Sequence, residues 1–205
     1  PARLAEFYAR MLDMQPERLD DGRIFLHGRE RHFVFSKGPS RTVQASGYAL
    51  KTKDGLNALR RHLEQSGVPL ETADAPFWDT DAFAVRDPQG RKVAFGVSSR
   101  TSAAAGGMPG RIQHVVFQTT QLDGIVDFYA DKVGFVISDR VVGDNGKLAV
   151  CFLRTDDEHH SRAFFAGSQN EDDHFCFETS CWNDIRDWGD RFAGAQPEYR
   201  SFAEL

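Results

Sequence analysis

The alternation of apolar and polar positions predicts two β-strands, over Arg111–Phe117 and Asp173–Glu178. Neighbouring side chains in a strand point to opposite faces, so each strand has a core-forming apolar face and a second face. A single histidine lies on the second face of each strand, His114 in the first and His174 in the other. Because imidazole is a common metal ligand, this pattern predicts the beginning of a metal site.

Apolar residues at helical spacing predict helices that occur in matching pairs along the chain. The segment Leu4–Met14 contains the sequence Phe-Tyr-Ala, which recurs in Ile125–Phe135. A second pair of helices has apolar residues at i, i+3 and i+7, and each is expected to bury that face. These positions are Leu56, Leu59 and Leu63 in one helix and Ile185, Trp188 and Phe192 in the other.

The predicted strands repeat in the same order as the helices. Arg31–Phe35 resembles Arg162–Phe165, and Gly47–Thr52 resembles His174–Thr179. The interval between the copies is too long for a solenoid repeat. The sequence therefore predicts an α+β fold made of two tandem copies of one domain.

We predict an N-terminal domain over residues 1–97, a linker over 98–110 and a C-terminal domain over 111–205. The linker is small, polar and rich in glycine, as flexible connections are. The first domain ends in a hairpin whose turn, Asp87–Gly90, has proline and glycine at turn positions. By comparison of the two copies, the first strand of copy one is expected before Pro1, and the last hairpin of copy two after residue 205.

The amino-acid composition limits the classes of partner that the chain is expected to have. The chain has 205 residues, 40% of them hydrophobic and 27% charged, as is ordinary for a globular protein. Its net charge of -5 gives no reason to expect nucleic acid or an anionic membrane as a partner. The odd number of cysteines and the absence of a C-x-x-C motif predict buried, reduced thiols at Cys151, Cys176 and Cys181, and with them a cytoplasmic location.

At this point the residues resemble a known family. The paired module with Phe-Tyr in its helix and an Asp-Pro-x-Gly hairpin looks like the vicinal oxygen chelate superfamily, which has the glyoxalase/bleomycin-resistance/dioxygenase fold of paired βαβββ modules. Within it, Gln113–Val116, His159–Phe164 and Asp173–Phe177 resemble the type I extradiol, catechol 2,3-dioxygenase-like enzymes. The Phe-Tyr helix is specific only to the superfamily. The His-His-Ser-x-Ala-Phe segment is much more discriminating.

The resemblance implies a mononuclear non-haem Fe(II) site, and the same donor set accepts Mn(II). His114 and His174 match the two iron-binding histidines, and His160 matches the histidine that performs acid–base chemistry beside bound oxygen. The third ligand of the family is a glutamate of the last hairpin, which is expected beyond Leu205, whereas Glu204 comes too early in the chain. The implied partners are a catechol-type aromatic and dioxygen, and the implied assembly is a homo-oligomer.

Plainer interpretations of the same residues stay open. A lone histidine in a strand is more often a core or surface residue than a ligand, and His159 with His160 follows an acidic run typical of a solvated loop. We expect His159 mainly to support a neighbouring site residue or to be structural. Copy one has Gly47 or Tyr48 where His174 would be, so we expect this copy to be metal-free and structural.

Two other functions compete with ring cleavage. The first is a glyoxalase-like lyase or isomerase that uses another divalent metal, but such an enzyme has no need of His160 at its place. The second is a metal-free, ligand-sequestering protein of the bleomycin-resistance type. That alternative leaves the matched positions of His114 and His174 unexplained. A dioxygenase of aromatic hydrocarbon catabolism is therefore the favoured prediction.

Overall fold

The computed structural model describes residues 1–29, 31–39, 42–79, 81–98 and 107–195. It is mixed α+β, as predicted, with its strands in a three-stranded, a four-stranded and a five-stranded sheet. In this part of the chain no helix is both long and apolar enough to cross a membrane.

The helices are α1 (Ala2–Met11), α2 (Lys53–Gln65), α3 (Leu122–Asp127), which continues as the π-helix Phe128–Val133, and α4 (Trp182–Gly194). The first seven strands are β1 (Gln15–Arg18), β2 (Ile24–Gly28), β3 (Arg31–Phe35), β4 (Ala45–Ala49), β5 (Glu71–Thr72), β6 (Phe83–Arg86) and β7 (Lys92–Gly96). The others are β8 (Arg111–Thr119), β9 (Val136–Val142), β10 (Leu148–Arg154), β11 (Arg162–Ala166) and β12 (Glu171–Glu178).

The order strand, helix, three strands occurs twice, from β4 to β7 and from β8 to β11. In each case the first strand pairs in parallel with the last, β4 with β7 and β8 with β11. The five-stranded sheet has the order β12-β8-β11-β10-β9, and β1-β2-β3 form an antiparallel sheet of their own. This topology makes β12 and β11 the two neighbours of β8.

Local chemistry explains where several elements begin and end. The Thr52 side chain accepts a hydrogen bond of 3.1 Å from the amide of Gly55 and so caps the start of α2. In the hairpin between β6 and β7, Asp87 Oδ1 accepts from the amides of Gln89 and Arg91, each at 2.9 Å. Gly90 in the same turn has a φ of 82°, a conformation that other residues rarely adopt.

By contacts between residues the chain divides into two compact units. One contains the described residues within 1–38, 107–112 and 177–195, and the other those within 42–98 and 113–176. The second unit has the larger core, which includes Phe83, Phe117 and Phe164. The tandem division into residues 1–97 and 111–205 remains a prediction.

Two predictions of burial were wrong. In α4 no residue is buried, and Ile185 is 51% exposed, because the helix rests on a small cluster that covers only one side of Trp188 and Phe192. Cys151 is buried as predicted, but Cys176 and Cys181 are exposed. Cys176 is exposed because it lies on the open face of β12, the face that also carries His174.

Candidate metal and acid–base site

The structure brings together the two histidines that the strand pattern singled out. His114 on β8 and His174 on β12 are on neighbouring strands, and their Nε2 atoms lie 3.4 Å apart. The ring planes are inclined by 78°, so the two nitrogens converge edge to edge and the rings do not stack. Two imidazole nitrogens thus face one point.

His160 joins this pair from the other side of β8. It lies just before β11, and the Ser161 carbonyl accepts a hydrogen bond of 3.3 Å from the amide of Val115 on β8. The centroids of the His160 and His114 rings are 4.3 Å apart. All three predicted site residues therefore gather on adjacent parts of one sheet.

Each of the two strand histidines is held at Nδ1 by the residue that precedes it. Gln113 Oε1 contacts His114 Nδ1, and Asp173 Oδ1 lies 2.5 Å from His174 Nδ1. Gln118 in turn donates a hydrogen bond of 3.2 Å to Asp173 Oδ2. A partner at Nδ1 fixes the proton there and directs the Nε2 lone pair outward, as metal-binding histidines require.

The strand pattern assigned no role to Gln113 or Asp173. In an extended strand adjacent side chains point to opposite faces, so a residue next to a histidine is not expected to touch it. The one signal in the sequence was that both histidines follow a residue with a side-chain oxygen acceptor.

The segment that carries His160 is packed on an aromatic ring. The centroid of Phe152 lies 4.9 Å from that of His160 and 5.2 Å from that of His159. The Nδ1 atoms of the two histidines are 2.9 Å apart. His159 therefore touches His160, and its expected role, supporting a site residue or structural, remains a prediction.

The surroundings of His114 and His160 disfavour positive charge on these two imidazoles. Burial, together with the nearby His160 and His174, lowers the pKa of His114 to about 4, since both act against the charged form. Burial also lowers the pKa of His160, and the neighbouring His159 and His174 add to this effect. His114 is therefore neutral at neutral pH, which leaves a lone pair available to a metal ion.

A metal ion fits the pair of nitrogens. Bonds of about 2.1 Å from one ion reach nitrogens separated by up to about 4.2 Å, more than the 3.4 Å between the Nε2 atoms of His114 and His174. Among the described residues no group of three or more His, Cys, Asp and Glu side chains is placed to hold a metal. The spacing of the pair suits one ion, and the ligand roles of His114 and His174 remain predictions, as does a carboxylate ligand beyond Leu205. Glu204 lies outside the described residues.

A buried arginine supports the His160 segment. Arg162 is fully buried and donates hydrogen bonds to the hydroxyl groups of Tyr48 (3.2 Å), Tyr129 and Ser46. The Tyr48 hydroxyl in turn donates to the carbonyl of Ser161, at 3.3 Å. Residues of the first copy therefore help to hold the segment next to His160, a connection that the sequence did not indicate.

Comparison with known proteins gives a family for the part of the chain that contains this site. Residues 111–199 match the family described as Glyoxalase/Bleomycin resistance protein/Dioxygenase superfamily. This match includes the three histidines and the strands that carry them.

Two curated relatives and one solved structure are similar to most of the chain. The biphenyl-2,3-diol 1,2-dioxygenase of Metapseudomonas furukawaii is 24% identical over 84% of this chain and 63% of the relative. The 3-methylcatechol 2,3-dioxygenase of Pseudomonas putida is 24% identical over 73% of this chain and 58% of the relative. The crystal structure of the 2,3-dioxygenase LapB from Pseudomonas sp. KL28 superimposes with a TM-score of 0.79 at 15% identity, over 93% of this chain and 74% of that chain. This chain spans about three fifths of the length of these two curated relatives.

Proposed function

We propose a function from the premise that residues 111–199 are a domain of the glyoxalase/bleomycin resistance protein/dioxygenase superfamily. The protein is an extradiol dioxygenase, which opens a catechol-type ring next to its hydroxyl groups and incorporates both atoms of dioxygen. His114 and His174 bind Fe(II), and His160 is the acid–base residue. The observation that carries this proposal is the convergence of two Nε2 atoms, 3.4 Å apart, beside a third imidazole.

The chain's own residues prepare the site for such chemistry. Gln113 and Asp173 hold the Nδ1 atoms, so that the Nε2 atoms of His114 and His174 are presented together. When bound, Fe(II) would lower the pKa of the catechol hydroxyl groups and bring both reactants to one centre. Mn(II) suits the same donors.

His160 accepts a proton from the substrate and later returns it. Its depressed pKa keeps the imidazole neutral before substrate binds, which is the form that a general base needs. Since its Nδ1 contacts His159 Nδ1, we assign the proton exchange to His160 Nε2. The ring lies beside His114, so a substrate held next to the metal ligands would be within its reach.

The names of the relatives support the class of substrate. Two of them are named for biphenyl-2,3-diol and 3-methylcatechol, which are aromatic compounds with adjacent hydroxyl groups. We propose a substrate of this class, with dioxygen as the second reactant, in the catabolism of aromatic hydrocarbons. The cytoplasmic location and the homo-oligomeric assembly remain predictions.

The test is oxygen uptake by the protein loaded anaerobically with Fe(II), measured on a panel of substituted catechols. We expect uptake with formation of a yellow ring-opened product. It should be lost in His114→Ala and His174→Ala and slowed roughly 10²- to 10⁴-fold in His160→Ala, as for the loss of a general base. His62→Ala, on the exposed side of α2, is the matched control and should keep full activity.

Other results would favour the competing functions. Tight metal binding without oxygen uptake on any catechol would contradict ring cleavage and favour a lyase or isomerase. Failure to bind any divalent metal would contradict both enzymes and favour a ligand-sequestering protein.

A further inference from the structure

We propose that Gln113 is a positioning residue that sets the tautomer of His114 and ties it to the segment that carries His160. The inference deepens the proposed function, since it concerns how the same histidines are held. Three contacts of one side-chain amide carry it.

Both the nitrogen and the oxygen of the Gln113 side-chain amide make contacts. Its Nε2 donates hydrogen bonds to Glu158 Oε2 at 2.6 Å and to the carbonyl of His160 at 2.8 Å, and its Oε1 contacts His114 Nδ1. A glutamine amide has two N–H donors and one carbonyl acceptor. Each of these groups therefore has a partner, and the side chain bridges β8 to the segment that follows β10.

The orientation of this amide follows from its partners. The Glu158 carboxylate and the His160 carbonyl can only accept hydrogen bonds, so the nitrogen of Gln113 must face them. With the nitrogen placed there, the amide oxygen has to face His114. An amide in the flipped orientation would set its oxygen against two other acceptors, which is unfavourable.

The tautomer of His114 then follows as well. An amide oxygen accepts and cannot donate, so the hydrogen between it and the imidazole belongs to His114 Nδ1. Nε2 is left with the lone pair, and this is the atom that lies 3.4 Å from His174 Nε2. Glu158 thus acts on His114 without touching it, by fixing which end of Gln113 faces the ring.

His174 has a carboxylate, and not an amide, as the partner of its Nδ1. Its tautomer is therefore an internal control for variants at Gln113. Its Nδ1 lies 2.5 Å from the Asp173 carboxylate, and an ionised carboxylate accepts at either oxygen. No second residue has to orient it. Gln113→Leu should therefore change the tautomer of His114 and leave that of His174 unchanged.

The first test measures the tautomers in the metal-free protein by ¹⁵N imidazole NMR at neutral pH. We expect His114 to carry its proton on Nδ1 in the unaltered protein and to populate both tautomers in Gln113→Leu, which removes the acceptor. In Gln113→Glu an acceptor remains, so the Nδ1 proton should stay. Gln118→Leu is the matched control on β8, and it should leave the tautomer of His114 as it was.

The second test distinguishes the contact of Gln113 with the His160 segment from its contact with His114. Gln113→Glu places two carboxylates next to each other, so hydrogen exchange in residues 156–161 should become faster. Adding Glu158→Gln supplies a donor to the new carboxylate and should slow the exchange again. Binding of Co(II) alone should weaken roughly 10- to 100-fold in Gln113→Leu, as expected when the partner of a ligand histidine is lost.

The outcomes also distinguish this proposal from the proposed function. An unchanged His114 tautomer with unchanged Co(II) affinity in Gln113→Leu would overturn the positioning role. Equal exchange rates in Gln113→Glu and in its double variant with Glu158→Gln would overturn the tie to the His160 segment. If the tautomer and the Co(II) affinity change as expected while the protein oxidises no catechol, the positioning role stands and ring cleavage fails.

Discussion

Matched strands of the two copies, β4 and β12, differ in what lies over them. In β4, Gly47 is one of the two residues predicted to correspond to His174, and an added Cβ there would lie 2.9 Å from Cζ2 of Trp78. The same ring would lie 2.6 Å from a Cβ on Gly96 of the paired strand β7. In β12, the side chain of His174 is 50% exposed.

The difference concerns the space that each strand face leaves for a ligand. A strand face filled by an indole ring has no room for a metal ion, whereas an open face with a histidine does. The prediction that copy one is metal-free and structural thus has a physical reason in Trp78, and it still awaits a metal-binding measurement.

A second matched pair shows the opposite case, in which both copies keep the same residue. Arg31 begins β3 and Arg162 begins β11, and their exposed fractions are 2% and 0%. The guanidinium of Arg31 donates to backbone carbonyls, among them those of Met108 and Gly110 at 3.0 Å. That of Arg162 donates to side-chain hydroxyls, beginning with Tyr48. The buried cation is common to both copies, but its partners differ.

The largest expected effect concerns metal binding. Removing an imidazole ligand should weaken Co(II) or Fe(II) binding by more than the roughly 100-fold that loss of an outer partner costs. Calorimetric titration of His114→Ala and His174→Ala should show this loss, and His62→Ala of copy one should bind as the unaltered protein does. Weakened metal binding in His62→Ala would show that copy one also holds metal. It would contradict the expected difference between the two copies.

The two buried arginines should differ in their contribution to stability. Arg162→Met removes the donor to three hydroxyl groups, and we expect it to lower the free energy of unfolding by about 3–5 kcal/mol. Arg31→Met should cost about 1–3 kcal/mol, because backbone carbonyls find water or other donors more readily. Urea denaturation measures both. Equal losses would mean that the kind of partner is unimportant.

The packing of Trp78 on β4 can be tested by filling the space at Gly47. Gly47→Ala should lower the free energy of unfolding by about 1–3 kcal/mol, since the new methyl group meets the indole ring. The same change in a Trp78→Leu background should cost much less. A double-mutant cycle by thermal or urea unfolding gives the coupling, and a coupling near zero would contradict the contact.

The smallest effect concerns the starts of the matching helices α2 and α4. Thr52→Ala removes the side-chain cap of α2 and should cost about 1 kcal/mol. Cys181→Ala at the start of α4 should cost less, about 0.5 kcal/mol at most, because Asp184 already accepts from the amides of Ser180 and Cys181. Unfolding midpoints in urea measure both changes, and a larger loss at Cys181 would reverse the expectation.

The sequence by itself determined several elements and the histidines that they carry. Strand alternation and helical periodicity are local properties, so they located β8, β12 and their histidines, and they predicted the α+β class. The resemblance added His160. Burial was less predictable, because the exposure of Ile185 and Cys176 depends on what packs against α4 and β12, and residue spacing does not contain this information.

The tertiary structure decided which of these residues meet. The sheet order puts β12 beside β8, and only this brings two histidines that are 60 residues apart to 3.4 Å. The contact of Gln113 with Glu158 spans 45 residues and that of Tyr48 with Ser161 spans 113. Such pairings depend on how distant segments pack in three dimensions. The physical reason is that local side-chain preferences determine which residues lie on each face of an element. Which other elements pack against that face depends on the whole chain.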